Sequence, residues 1–152
     1  MKLKNRVTAV VFFSILTFCT EAHSACTVTT TAVTFPNYDI FATVDTDGGG
    51  TISVSCDVKT VVTLAIGVSL HSSSFNPRQM KHASLSDLLN YNVFTKGNRA
   101  TVWGDGTGGT GTININVPKN VSRNVKVSGR IPALQSVAAG LYSDSLIVTF
   151  SP

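Results

Sequence analysis

Three groups of residues have types and spacings that could support chemistry. The first is the glycine-rich run Trp103-Gly104-Asp105-Gly106-Thr107-Gly108-Gly109-Thr110-Gly111. Backbone amides in such a run can cradle a phosphate, but a phosphate loop needs a Lys after its last glycine and a helix beyond it. Here Thr112 follows and then an alternating strand-like run, so the stretch reads as a flexible hairpin loop. The second group, Asp45-x-Asp47-Gly48, opens like a calcium loop. That loop ends on a Glu at its twelfth position, and the twelfth position counted from Asp45 is Cys56. Asp45 and Asp47 therefore read as turn residues whose carboxylates bond nearby backbone. The third group is His71 and His82, which have no ligand spacing to another His, a Cys or a carboxylate and read as surface residues.

Nothing else points to catalysis. There is no Gly-x-Ser-x-Gly elbow, no Glu beyond Glu21, and the seven Asp do not pair by spacing into a general acid and base. No enzyme, metal or cofactor is expected. Asn120-Val121-Ser122 is a glycosylation acceptor by pattern, relevant only in a eukaryotic cell.

The N-terminus has the three parts of a secretion signal. Lys2, Lys4 and Arg6 supply the positive start, Val7 to Phe18 the apolar stretch, and Ala22-His23-Ser24 the small residues that a signal peptidase reads. The apolar run is shorter than the roughly 20 residues of a spanning helix, so a cleaved signal over residues 1–24 is expected rather than a membrane anchor. Residues 25–152 then form one domain. This mature part carries nine Lys and Arg against seven Asp, a net charge of +2, without the basic cluster that would track nucleic acid. Cys19 leaves with the signal. Cys26 and Cys56 remain, with no CxxC spacing and no partnered His, and in an oxidising compartment they read as a disulfide. Closing that loop stabilises the fold by about 3.5 to 4 kcal/mol in the chain-entropy model.

The elements that must position these residues are strands. Val62, Leu64, Ile66, Val68 and Leu70 are apolar at every second residue. The same period appears over Ile52 to Cys56, Ile113 to Val117, Val125 to Ile131 and Leu146 to Phe150. Val28 to Phe35 is a Thr-rich opening strand, and Leu89 to Phe94 is a further candidate. Asp45 to Gly50, Asn76-Pro77, Lys96-Gly97-Asn98 and Gly104 to Gly111 read as turns, and only Ser84 to Leu89 looks helical. Many short strands with polar turns predict an all-β sandwich. Cys56 lies on the inward phase of its strand, so its bond to Cys26 would tie neighbouring strands within the core.

An ordered set of motifs carries a family resemblance. Gly50-Thr51-Ile52-Ser53-Val54-Ser55-Cys56 is followed by Leu64-Ala65-Ile66-Gly67, Arg78-Gln79-Met80, Leu89-Asn90-Tyr91-Asn92-Val93-Phe94 and Trp103-Gly104-Asp105-Gly106. Val127-Ser128-Gly129-Arg130-Ile131-Pro132 with Gln135 comes next, and Gly140-Leu141-Tyr142-Ser143-Asp144 leads into a strand ending Val148-Thr149-Phe150. In this order the mature chain resembles the spore coat protein U domain, the building unit of archaic, Csu-type chaperone–usher pili. The resemblance implies an immunoglobulin-like β-sandwich that lacks its last strand and exposes an apolar groove. It further implies that a periplasmic pilus chaperone and then the N-terminal extension of a neighbouring pilus subunit fill that groove, with an outer-membrane usher exporting the fibre to the cell surface. Under that reading the groove walls are Val28 and Val33 from the first strand and Leu146, Val148 and Phe150 from the last. Arg78, Met80, Tyr91, Trp103, Asp105, Tyr142 and Asp144 match motif positions and are expected to be structural, with Trp103 also weighed as a sugar-binding platform beside a loop.

One departure bears on function. A rod-forming subunit carries a donor strand ahead of its first cysteine, whereas signal cleavage here leaves little more than Ala25 before Cys26. The expectation is a subunit that accepts a strand without offering one: a tip or terminal component serving adhesion and biofilm formation. The alternatives are a self-standing spore or cell-surface coat protein and a lectin-like surface-binding module. N-terminal sequencing of the secreted protein is expected to return Ala25 first, and a start well upstream of Ala22 would remove the acceptor-only expectation.

Overall fold

The period-two rows become nine strands and no helix in the computed structural model, which describes residues 25–152. The expected signal, residues 1–24, lies outside the described residues. In chain order the strands are β1 (Cys26–Thr34), β2 (Thr46–Cys56), β3 (Thr60–Ile66), β4 (Arg78–His82), β5 (Leu88–Phe94), β6 (Ile113–Val117), β7 (Arg123–Ile131), β8 (Tyr142–Ser143) and β9 (Val148–Ser151). They form a six-stranded sheet in the order β1-β2-β7-β5-β4-β8 and a three-stranded sheet in the order β6-β3-β9. All the pairings between these strands are antiparallel. The two sheets pack face to face as an immunoglobulin-like sandwich.

The inward rows meet as the alternation requires. Ile52, Val54 and Cys56 of β2, Val127 and Ile131 of β7, and Leu89, Tyr91 and Val93 of β5 face Val62, Leu64 and Ile66 of β3 and Val117 of β6 across one buried core. The odd-numbered residues between them on β2 and β3 are all more exposed. Burial of this kind contributes roughly 25 cal/mol per Å² of apolar surface, so these rows supply most of the driving force.

The glycines of β2 differ from the sequence expectation. The stretch from Thr46 to Gly50 was expected to turn, and it instead pairs residue by residue with β7, from Thr46 opposite Ile131 to Gly50 opposite Val127. The reason lies in β1. Its register against β2 shifts between Thr31 and Thr34, a bulge that carries Val33 and Phe35 over the glycines. A Cβ at Gly48 would collide with the Thr34 carbonyl and the Phe35 ring, and one at Gly129 would come within 2.7 Å of that ring. The glycines are thus a depression for an aromatic side chain and not hinge residues. The expected helical turn at Ser84 to Leu89 is also absent: the amides of Ser84 and Leu85 bond to Nδ1 of His82, each at 3.0 Å, and Leu88 opens β5.

Cys26 and Cys56 stand directly opposite in the β1–β2 register, are bonded to each other, and have Cα atoms 4.1 Å apart. Since among the described residues only β2 pairs with β1, the disulfide fastens an edge strand at one end. The double substitution Cys26→Ser/Cys56→Ser is expected to cost about 2–5 kcal/mol in chemical denaturation. An unchanged midpoint would show that the bond adds nothing to the fold.

Candidate functional site

The free edges of the two sheets open onto one cleft. Among the described residues β1 ends the six-stranded sheet and β9 ends the three-stranded sheet, and neither has a partner strand on its outer side. Between them lies a cavity of roughly 340 Å³. Thr30 to Val33 and Phe35 form one wall, and Tyr142 to Asp144, Leu146 and Val148 form the other. Its floor is the core itself: Ile52, Ile66, Met80, Tyr91, Val93 and Val127. Apolar surface that a closed sandwich would bury between its sheets therefore reaches solvent along this side.

Of the groove residues expected from sequence, the structure brings Val33, Leu146 and Val148 together on the cleft. Val28 lies nearer the disulfide, opposite Val54, and packs against the core. Phe150 pairs with Leu64 on β9 and is 38% exposed on the same inward row as Val148. Sequence reasoning did not name Thr30, Phe35, Ile66, Met80 or Tyr91 as part of the site. Ile66 and Phe35 were visible as apolar members of strands. Their place on the cleft depends on which edges stay unpaired, and no local pattern carries that information.

The expectation for Trp103 as a ligand platform is corrected. Its side chain is fully buried, and its indole N–H donates to the Leu64 carbonyl at 3.1 Å, so no ring face is available to a sugar. Trp103 belongs to a buried network centred on Arg78, whose exposure is 0%. The guanidinium donates to the carbonyls of Ile66, Gly67, Phe75 and Trp103 and to Oδ1 of Asn92, the shortest of these bonds being 2.7 Å to Trp103. It also lies over the Phe75 ring, 5.5 Å from its centroid. Burial pulls its pKa down, while the nearby Tyr91 and Asp144 act the other way. One cation thus joins β3, β4, β5 and the Trp103 segment through carbonyl dipoles without touching a carboxylate.

Tyr91 and Asp144 form the polar end of the cleft. The Tyr91 hydroxyl donates to Oδ2 of Asp144 at 2.7 Å. Burial first, and then that carboxylate, push the Tyr91 pKa far up, which keeps the phenol a neutral donor. Oδ1 of Asp144 accepts the amides of Ser145 at 2.8 Å and Leu70 at 3.2 Å, a local bond alongside a longer-range tie.

The carboxylates of Asp45 and Asp47, expected to bond nearby backbone, are held instead by partners distant in the chain. Arg130 donates to Asp47 at 2.8 Å and Asp45 at 3.1 Å, Arg99 reaches Asp47 at 3.0 Å, and Asp45 also accepts the Ala133 amide. The Arg130 guanidinium holds the Asp47 carboxyl below the usual carboxylate range. These groups are partly exposed and staple β2 to β7 away from the cleft. Among the described residues no group of three or more His, Cys, Asp or Glu is arranged to hold a metal ion.

The fold and the cleft define a class: an all-β, disulfide-linked sandwich with two free strand edges facing each other over exposed core. The chain belongs to the Spore Coat Protein U domain family, whose model matches residues 13–149. It is 29% identical over 113 residues to Protein U of Myxococcus xanthus, an alignment that takes in 71% of this chain and 62% of that protein. Among solved structures it is similar to a chain of the chaperone–tip adhesion subunit pre-assembly complex from archaic chaperone–usher Csu pili of Acinetobacter baumannii. That match has a TM-score of 0.61 and 19% identity and covers 84% of this chain and 39% of the other, a likeness of fold. A chain of a chaperone–tip adhesin complex of CFA/I fimbriae biogenesis gives a TM-score of 0.46 at 13% identity, with 82% and 41% covered.

The Arg78 network generates a test. Replacing Arg78 with Met keeps much of the volume but leaves buried carbonyls without a donor, so Arg78→Met is expected to cost about 3–5 kcal/mol in urea denaturation. A loss below about 1 kcal/mol would show that the carbonyls find other partners.

Proposed function

We propose that this protein is a structural subunit of a chaperone–usher pilus and that its cleft receives an extended segment from a partner. The observation that carries the reading is the cleft itself. Two antiparallel edges border one apolar trough, and an added strand would find backbone donors and acceptors on either side and core side chains beneath. Such an edge is an aggregation hazard in a free monomer, so a partner that covers it from synthesis onward is a physical necessity of the design. In this reading a periplasmic chaperone supplies the first covering strand, an outer-membrane usher exports the subunit, and a neighbouring subunit supplies the final strand at the cell surface. Membership of the spore coat protein U family and likeness of fold to a pilus assembly complex support it. A tip or terminal position in adhesion and biofilm formation forms part of the proposal.

A second reading, a coat protein that stands alone, is supported by membership of the Spore Coat Protein U domain family. It requires the core to tolerate exposure along the cleft. The two readings separate on one measurement. With a synthetic peptide of alternating apolar residues at about 100 times its Kd, the melting temperature of the purified mature protein is expected to rise by roughly 10 °C, because the ligand binds only the folded state. A soluble monomer whose melting temperature is unmoved by every such peptide would favour the coat-protein reading and reject strand acceptance.

A further inference from the structure

Asp144, Leu146, Val148 and Phe150 stand at every second position along β9 and its approach. Asp144, Leu146 and Val148 are half-buried, and Ser145, Ile147 and Thr149 between them are exposed. Alternate side chains of an extended chain share a face. One inward row therefore reads, from the disulfide end outward, apolar, apolar, apolar, carboxylate.

The carboxylate is not neutralised. Its hydrogen-bond partners are two amides and the Tyr91 hydroxyl, none of them charged. The ion pairs of the described residues all belong to Asp45 and Asp47. Arg78 is near enough to act on Asp144 through space but directs its donors at carbonyls and Asn92. A carboxylate offers about four acceptor positions, and three are taken here. Water reaching the cleft solvates the charge. A strand laid over the row would remove that water and leave a costly charge unless it brought its own counter-charge.

Register raises the same requirement independently. A one-residue slip of an incoming strand turns its apolar row outward and is penalised at once. A two-residue slip keeps the apolar row inward, and Phe150, Val148 and Leu146 offer little to distinguish the two positions. Asp144 ends that degeneracy, because only one register places a basic side chain beside it.

Resting on the strand-acceptor reading above, we infer that the segment closing this cleft alternates apolar side chains along Phe150, Val148 and Leu146 and carries a Lys or Arg that meets Asp144. Asp144 is then the residue that sets the partner's register.

The test uses the mature, disulfide-bonded chain and synthetic alternating Val/Thr peptides that end their inward row in Lys or in Gln, prepared with that residue at either end. Fluorescence anisotropy is expected to show the Lys peptide binding roughly fivefold more tightly in one of the two orientations, with the preference shrinking as salt rises. Asp144→Asn keeps an acceptor for Tyr91 and is expected to bind both peptides with equal affinity. If that variant does not fold, the salt dependence of the Lys-to-Gln ratio on the wild type decides. Equal binding of Lys and Gln peptides to the wild type, or a preference that persists in Asp144→Asn or at high salt, overturns the register assignment while leaving strand acceptance standing. Failure of every peptide to bind overturns both.

Discussion

The two sheets of this sandwich are not closed against each other on one side, and most of what distinguishes the molecule follows from that constraint. Backbone groups in a sheet are satisfied by neighbouring strands, and among the described residues β1 and β9 each have such a neighbour on one side only. The core rows that would be sealed between these edges instead form the floor of a cleft. In the proposed reading these edges receive a second chain, and the apolar floor supplies the free energy for taking it up.

An open side demands that the rest of the structure hold its shape unaided. Arg78 meets much of that demand. Its guanidinium gathers carbonyls from the end of β3 and from the Trp103 and Phe75 segments, together with the Asn92 side chain of β5. Because its partners are dipoles and not a carboxylate, no single ion-pair geometry governs the site, and the network fixes several backbone segments at once. Tyr91 and Asp144 extend the polar scaffold to the cleft, where one inward row changes from apolar to charged. The floor is thus held from behind by a buried cation and marked at one end by an anion.

Much of the fold was legible in the residues. The period-two rows of β2, β3 and β7 placed their inward faces correctly as far as Ile66, since Ile52, Val54, Val62, Leu64 and Val127 are buried, whereas Val68 and Leu70, expected on the same row, lie beyond β3 and are exposed. The disulfide was legible because only two cysteines remained once the signal was set aside. The misread elements share a cause, which is that local chemistry was overruled by a distant partner. Gly48 to Gly50 have turn composition and lie in a strand because they pair with β7 and pass close under the bulged end of β1, with the Phe35 ring over Gly48 and the Thr31 and Ala32 carbonyls over Gly50. β4 was hidden because its inward row begins with a charged residue, Arg78, whose partners are far along the chain. Trp103 sits next to a glycine loop and was weighed as a ligand platform beside its structural reading, and its indole is bonded to a carbonyl of β3. The cleft was the least legible part, because an edge is defined by the absence of a neighbour and no residue pattern encodes that.

The attachment of β1 gives the open side a direction. At its start the strand is covalently bound to β2, and at its far end the bulge between Thr31 and Thr34 has already broken the ladder. The two ends of this wall are held by different means, a covalent rivet at Cys26 and the seating of Phe35 over Gly48 and Gly129 past the bulge. Val33 and Phe35 lie across the trough from the Asp144 side, so the bulged stretch of this wall and the carboxylate face each other at the end of the cleft away from the sulfur bridge.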